Sequence, residues 1–372
     1  VALILRVASR RDALNEEPGS FSLVWLISMV VAHSLGHPPG PVIPEPLKER
    51  SKEHWAAPSA PAPRSVMLQS ATKRRTISAG VGHSGAVLDG GELMMWGLSR
   101  QQQLGVERLS DKERAKGKTE ADLGPPRDRA WPELVASLKF SGDHVVTVAC
   151  ASTHTLAATR VGELFSWGQG AFGKLGHGDQ EDVRIPKRVP LKRLRVRTIA
   201  AGADHCAIVS DRGEVLSWGS GAYGNLGHGD NLDLSSPKLV DALLGKHCIG
   251  AACGTKHTLA VTQTGDVYSF GHGGGGRLGH GSTRGEFRPK LIAALGADGG
   301  VGADGNGMAF VGAGESHSFA ISTGTELGFS WGVGDFGKLG HGDSTPQLLP
   351  RQVQLPPPPS PLQPLPLTPP SP

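Results

Sequence analysis

The sequence predicts an all-β protein, a β-propeller built of four-stranded blades. The first observation behind that expectation is a glycine-rich signature at residues 214–230, EVLSWGSGAYGNLGHGD, which returns at 163–179 as ELFSWGQGAFGKLGHGD. Further copies are DVYSFGHGGGGRLGHGS at 266–282 and GFSWGVGDFGKLGHGD at 328–343. The second is spacing: Trp167, Trp218 and Phe270 stand 51 and 52 residues apart, a period that marks a stack of repeated units. The third is composition. Gly (53) and Pro (28) are both abundant among the 372 residues, which suits many short strands joined by tight turns.

Each unit follows one grammar. A short strand ends at Ala-Gly or an equivalent, and a histidine follows within three residues: His83, His154, His205, His257 and His317. The strand after it is apolar and small, as in His205-Cys-Ala-Ile-Val. A turn closed by Gly213, Gly265 or Gly324 then reverses the chain, glycine supplying the positive φ of a tight hairpin. The signature strand comes next and alternates large residues: Met94 and Trp96, Phe165 and Trp167, Leu216 and Trp218, Tyr268 and Phe270, Phe329 and Trp331. Met95 or a serine (Ser166, Ser217, Ser269, Ser330) stands between them. Period two sends the large pair to one face and the small residue to the other, as stacked sheets require. Nine residues beyond His177, His228, His280 and His341 stand Pro186, Pro237, Pro289 and Pro350, with Pro132 ending the first unit. Proline is tolerated at a strand start or a sheet edge, so this segment is the fourth, outer strand.

Five units are visible. The first is a worn copy, ELMMWGLSRQQQLG at 92–105, and spans 71 residues because of an excess at 106–131 that includes Lys112, Arg114 and Lys116. The fourth carries a second excess at 296–307. Insertions map to loops where partners bind, and the charged one is the better candidate. The fourth unit also replaces the loop aromatic with Gly275 and the final Asp with Ser282, so its loop is expected to be looser. Three regions follow: a Pro-rich N-terminal segment of low structure at 1–76, the repeat domain at 77–355, and a disordered Pro-rich tail at 356–372 with ten prolines in 17 residues. Composition of this kind favours extended, unpacked chain, and the PxxP matches in the tail are no more than composition gives.

The net charge of +4 does not by itself imply nucleic acid or membrane. The apolar run at 21–32 is 12 residues long, too short to span a bilayer. Arg6, Arg10 and Arg11 before it allow a signal-peptide reading, but Glu16 and Glu17 intervene and the chain opens on Val1. It is expected to begin inside a longer protein. Cys150, Cys206, Cys248 and Cys253 form no CxxC pair and read as small buried thiols in a reducing compartment.

The recurring grammar, Gly-x-x-His, then Trp-Gly-x-Gly-x-aromatic-Gly-x-Leu-Gly-His-Gly, then Pro, resembles the regulator of chromosome condensation repeat over residues 77–355. That resemblance implies a propeller, usually of seven blades, so five units point to part of a longer propeller rather than a five-bladed ring. It also implies a choice of contexts: partner recognition beside the catalytic domain of HERC-type ubiquitin ligases, or multidomain GTPase regulation. The founding member's activity, guanine nucleotide exchange on a Ran-like small GTPase, is the alternative, and an incomplete repeat product is a third. The ultraviolet-B photoreceptor branch carries tryptophans two residues before the repeat histidine. Ser152, Ala203, Thr255 and Glu315 stand there, so photoreception is not expected.

The residues offer little catalytic chemistry. Rotationally related blades cannot bring His177, His228, His280 and His341 to one ion at zinc's short bond lengths, so they read as turn-forming or hydrogen-bonding groups, as do His154, His205, His257 and His317. GxGxxG at 168–173 lacks the following helix that a phosphate cradle needs. No nucleophilic triad or paired-carboxylate site is visible, and no enzyme activity, cofactor or metal is expected. Trp96, Trp167, Trp218, Phe270 and Trp331 read as structural. The candidate partner-binding residues lie in the basic run at 184–197: Arg184, Lys187, Arg188, Lys192, Arg193, Arg195 and Arg197. Its alternation from Lys192 onward suggests a basic strand face, either a solvated edge or a docking site for an acidic partner, an import receptor or DNA. The expected partner is a protein, a small GTPase or a ubiquitin-pathway substrate, with chromatin or nucleic acid a weaker option, in cytoplasm or nucleus and without a membrane span.

Overall fold

A computed structural model describes residues 76–106, 127–138, 144–296, 307–323 and 327–354. Both Pro-rich tails, the apolar run at 21–32 and Lys112, Arg114 and Lys116 lie outside the described residues.

Five antiparallel sheets follow one another, each of four strands in sequence order. Blade 1 holds β1 (Thr76–Ala79), β2 (His83–Val87), β3 (Leu93–Gly97) and β4 (Arg129–Leu134). Blade 2 holds β5 (Val145–Cys150), β6 (His154–Thr159), β7 (Leu164–Gly168) and β8 (Val183–Arg188). Blade 3 holds β9 (Val196–Ala201), β10 (His205–Ser210), β11 (Val215–Gly219) and β12 (Leu234–Leu239). Blade 4 holds β13 (Cys248–Cys253), β14 (His257–Thr262), β15 (Val267–Gly271) and β16 (Glu286–Leu291), and blade 5 holds β17 (Met308–Ala313), β18 (His317–Ser322), β19 (Gly328–Gly332) and β20 (Gln347–Gln352). The described residues contain no α-helix, and none of their elements is a helix long and apolar enough to cross a membrane.

The first strands of successive blades pack on one another and are therefore innermost. The fourth strands form the rim. Each fourth strand carries its proline (Pro132, Pro186, Pro237, Pro289, Pro350) where the ladder to the third strand shifts register, which is where a residue lacking an N–H costs nothing. The Trp-Gly glycine has its own reason. Gly219 has φ 98, and a Cβ there would lie 2.5 Å from the Asp204 carbonyl oxygen, so the signature strand can end against the preceding turn only at glycine.

The core lies between blades. Trp167 packs with Leu93 and Val87 of blade 1, Trp218 with Leu156 and Leu164 of blade 2, Phe270 with Val209 and Val215 of blade 3, and Trp331 with Leu259 and Val267 of blade 4. All four aromatics are fully buried. Removing roughly 150–250 Å² of each from water is worth about 4–6 kcal/mol gross. The array is open. Face-to-face contacts run from blade 1 through blade 5, and none of that extent returns from blade 5 to blade 1 among the described residues. Trp96, whose partner blade would precede blade 1, is accordingly only half-buried, and Trp131 on the outer strand is 81% exposed.

The blade-4 loop takes the same turn as its equivalents in blades 2 and 5. Gly275 takes φ 70 within the same 3-10 turn that Phe172 (φ 62) and Phe336 (φ 60) occupy in blades 2 and 5. The position is left-handed, which glycine adopts without strain and phenylalanine does not. Phe336 is 76% exposed and gains little packing in return. Phe336→Gly is therefore expected to leave the fold intact and to raise unfolding free energy by about 0.5–1 kcal/mol, measured by urea titration; a loss of 1 kcal/mol or more would contradict the strain argument.

Candidate partner-binding surface

The recurrent polar residues are engaged inside the scaffold, in two devices. The first pins each signature loop to its own blade. Ser166 Oγ donates to Leu175 O at 2.6 Å and lies 2.9 Å from His177 Nε2. Because the hydroxyl proton goes to the carbonyl, His177 must donate from Nε2–H, which assigns its tautomer. Ser217 with His228, Ser269 with His280 and Ser330 with His341 repeat this at 3.1, 2.9 and 3.0 Å. Blade 1 replaces both partners with apolar residues, Met95 for the serine and Val106 for the histidine, and both join the core.

The second device joins neighbouring blades. His83 Nε2 meets Thr155 Oγ1 of blade 2 at 2.8 Å, and Thr155 Oγ1 donates to Gln103 O of blade 1 at 2.8 Å. The indole N–H of Trp167 donates to that same carbonyl at 2.9 Å. At the next joint His154 meets Cys206 Sγ at 3.0 Å, while Cys206 and Trp218 both address Lys174 O. His205 meets Thr258, which donates to Asn225 O. His257 meets Ser318, and Ser318 and Trp331 share Arg277 O. A thiol is the weaker donor, and the joint that has one also carries an ion pair, Lys174 Nζ to Asp204 Oδ1 at 2.8 Å, with the lysine buried and the aspartate half-exposed. The four cysteines are free and buried; burial holds the Cys206 thiol well above its ordinary range, so it stays protonated.

The last joint is unfilled. His317 of blade 5 is 2% exposed, and neither ring nitrogen has a partner among the described residues. A Cβ at Gly176 would lie 2.8 Å from the Trp218 indole nitrogen, whereas at the equivalent Gly340 it meets nothing nearer than Val353 of its own blade, at 3.3 Å. The described residues contain no cluster of His, Cys, Asp and Glu able to hold a metal.

The basic run divides between three places. Arg184, Lys187 and Arg188 lie on β8 at the rim, where Lys187 Nζ is 3.9 Å from Asp179 and Arg188 is 2.7 Å from Glu163. Lys192 and Arg193 are not on a strand, contrary to the alternating-face expectation. They occupy a turn closed by Leu194 N–H donating to Leu191 O at 2.8 Å. Both are left-handed, with φ 34 and 69. β9 begins only at Val196, so Arg195 ends the linker and Arg197 lies exposed on the innermost strand. The reason is visible in the other linkers. After Val135, Val240 and Ile292 comes a 3-10 turn whose third residue, Leu138, Leu243 or Leu295, is buried. After Val189 that position is Lys192, whose ammonium cannot be buried unpaired, and the 3-10 turn is absent. A cleft of about 660 Å³ opens between this linker and the hairpin turn at Val161–Leu164. Sequence reasoning did not find the cleft, although the missing leucine was there to be noticed.

Burial lowers the inter-blade histidines, His83, His205 and His317 to about 4 and His154 and His257 well below the usual 6.5. A depressed folded-state pKa means that the unfolded chain binds protons first, so this stability is complete above pH 6.5 and is lost as pH falls toward about 4. Urea midpoints are expected to fall steeply across that window; a midpoint flat from pH 7 to 4.5 would overturn the assignment. At neutral pH His205→Ala should cost about 2–4 kcal/mol, since it leaves a cavity and strips Thr258 of a donor. His317→Ala, with no partner to strand, should cost less by at least about 1 kcal/mol.

A family model for the RCC1-like domain matches residues 48–305, and one for the regulator of chromosome condensation (RCC1) repeat matches residues 329–359. The ultraviolet-B receptor UVR8 of Arabidopsis thaliana is 34% identical over 296 residues, 78% of this chain and 59% of its own. The human E3 ubiquitin-protein ligase HERC2 is 37% identical over 230 residues, 60% of this chain and 4% of its own. The chain thus spans less than two thirds of the length of these curated relatives. Among solved structures, human WBSCR16 superposes with a TM-score of 0.65 at 24% identity, covering 76% of this chain and 68% of that one, which shows the shared fold.

Proposed function

The chain belongs to the RCC1-like domain family of β-propellers, and on that premise we propose that it is a non-enzymatic partner-recognition module acting in a regulatory or ubiquitin-ligase setting, in nucleus or cytoplasm. One observation carries the reading. The residues that define the repeat are engaged in joints and loop pins, so recognition falls to the surfaces where the repeat breaks. Among the described residues the clearest such surface is the blade 2–3 corner, where Lys192, Arg193 and Arg195 are exposed and make no ion pair. The identity with HERC2 supports the ligase setting, with any ligase chemistry supplied by sequence unlike this chain.

The test is cross-linking of the full chain in cells followed by quantitative mass spectrometry. Reversal of Lys192, Arg193, Arg195 and Arg197 to Glu is expected to remove the most enriched proteins while the urea midpoint holds. A wild-type chain that enriches no protein would overturn the reading. In a nucleotide-release assay with Ran-like GTPases, micromolar chain is expected to give no acceleration; acceleration would assign exchange activity instead.

A further inference from the structure

The niche between a blade's hairpin turn and the linker to the next blade recurs in blade 3, where it holds only about 150 Å³ and Leu243 fills it. In blade 2 the same niche is several times larger and its rim is cationic. We propose that this cleft docks an acidic peptide segment of a partner protein, one in which carboxylates alternate with aliphatic side chains; the proposal rests on the reading of the chain as a partner-recognition module.

Three features support that occupant. Arg188 is held by Glu163 at 2.7 Å, which leaves the cations of Lys192, Arg193 and Arg195 without a carboxylate among the described residues. The floor between them is aliphatic. Val161 is 43% exposed, and Leu191 and Leu194 are half-buried, so a bound segment would bury leucine-like side chains while pairing its charges at the rim. The turn is also held in place from both sides. Val196 N–H donates to Gly162 O at 2.9 Å, and Asp211 N–H to Arg195 O at 2.9 Å, so the cations are presented from a fixed backbone and less ordering is needed on binding.

The left-handed pair sharpens the argument. A turn with positive φ at both central positions ordinarily takes Asn-Gly. Lys192 and Arg193 accept backbone strain there and gain no buried contact, since both side chains are exposed. Strain of this kind gathers at ligand sites. Nucleic acid fits less well. The lining includes no aromatic residue, so there is nothing on which a base could stack. The cations also cluster at one turn instead of tracking a backbone.

The probes are a short fluorescein-labelled peptide in which Glu-Asp pairs alternate with Leu, and a labelled single-stranded oligonucleotide of matched charge, each titrated with the full chain by anisotropy. The peptide is expected to bind at least about tenfold more tightly than the oligonucleotide and to weaken with added salt. Lys192→Asn with Arg193→Gly keeps the turn's backbone conformation. It should hold or raise Tm while weakening the peptide about tenfold or more. Arg195→Ala provides a second variant that leaves the turn untouched and should weaken it severalfold. Oligonucleotide binding as tight as the peptide's, or unchanged peptide affinity in both folded variants, overturns the proposal. Cellular partners that persist alongside that result would leave the module reading standing and this occupant alone rejected.

Discussion

The structure depends on one carbonyl per joint. Gln103, Lys174, Asn225 and Arg277 each stand just before a Leu-Gly turn, and each presents its C=O to the following blade. An indole N–H and a hydroxyl share that oxygen at two of the four joints, an indole N–H and the Cys206 thiol share it at a third, and a histidine from the blade behind meets the hydroxyl or thiol at each. The relative sizes of the terms say what the bonds do. Burying the signature aromatic is worth several times the net contribution of about 1 kcal/mol from a single hydrogen bond. Blade 4 illustrates the point. Phe270 has no N–H to offer, yet it is as buried as the tryptophans, and Thr258 alone addresses Asn225. Apolar burial holds the blades together; the carbonyl sets the angle and register at which they meet.

That division of labour explains the two ends. Each joint has a leading face with an x-Leu-Gly turn and a trailing face with an aromatic and a hydroxyl or thiol. Blade 5 retains the leading half in Lys338, Leu339 and His317, and blade 1 retains the trailing half in Ser84 and Trp96. Neither half has its complement among the described residues. A buried imidazole without a partner on one end and a half-buried tryptophan on the other are what an interrupted cyclic array should show, because desolvation is complete at the blade's own side and unfinished at the other.

Most of the scaffold was legible in the sequence because the repeat supplies its own internal control. Alternation at Leu216 and Trp218, the serine between them and the offset to Pro237 appear several times over, so strand count, face and edge could be read without coordinates. What escaped was pairing between units. Nothing in the spacing of Thr155 and His83 shows that they touch, since these joint contacts link residues 52 to 72 positions apart through a rotation that linear periodicity does not encode. The loop at Gly275 hid its conformation for a different reason. Loss of an aromatic suggests lost packing, but the backbone there is left-handed, and conformational preference outweighs an exposed ring.

The basic run shows how a local signal can be misplaced by its own alternation. Seven cations in fourteen residues run through a linker that lacks the 3-10 turn found after Val135, Val240 and Ile292. Alternation then suggested one strand face. The chain instead spends this stretch on three elements, because a strand must end and a linker must cross before the next blade can begin. Lys192 falls where the other linkers insert a leucine, and that single exchange of an apolar for a charged side chain removes the plug, opens the niche and leaves its rim charged. The same exchange therefore accounts both for the cleft and for the charge at its rim, and the proposed docking site rests on the residue that breaks the repeat, while those that define it are engaged in joints and loop pins.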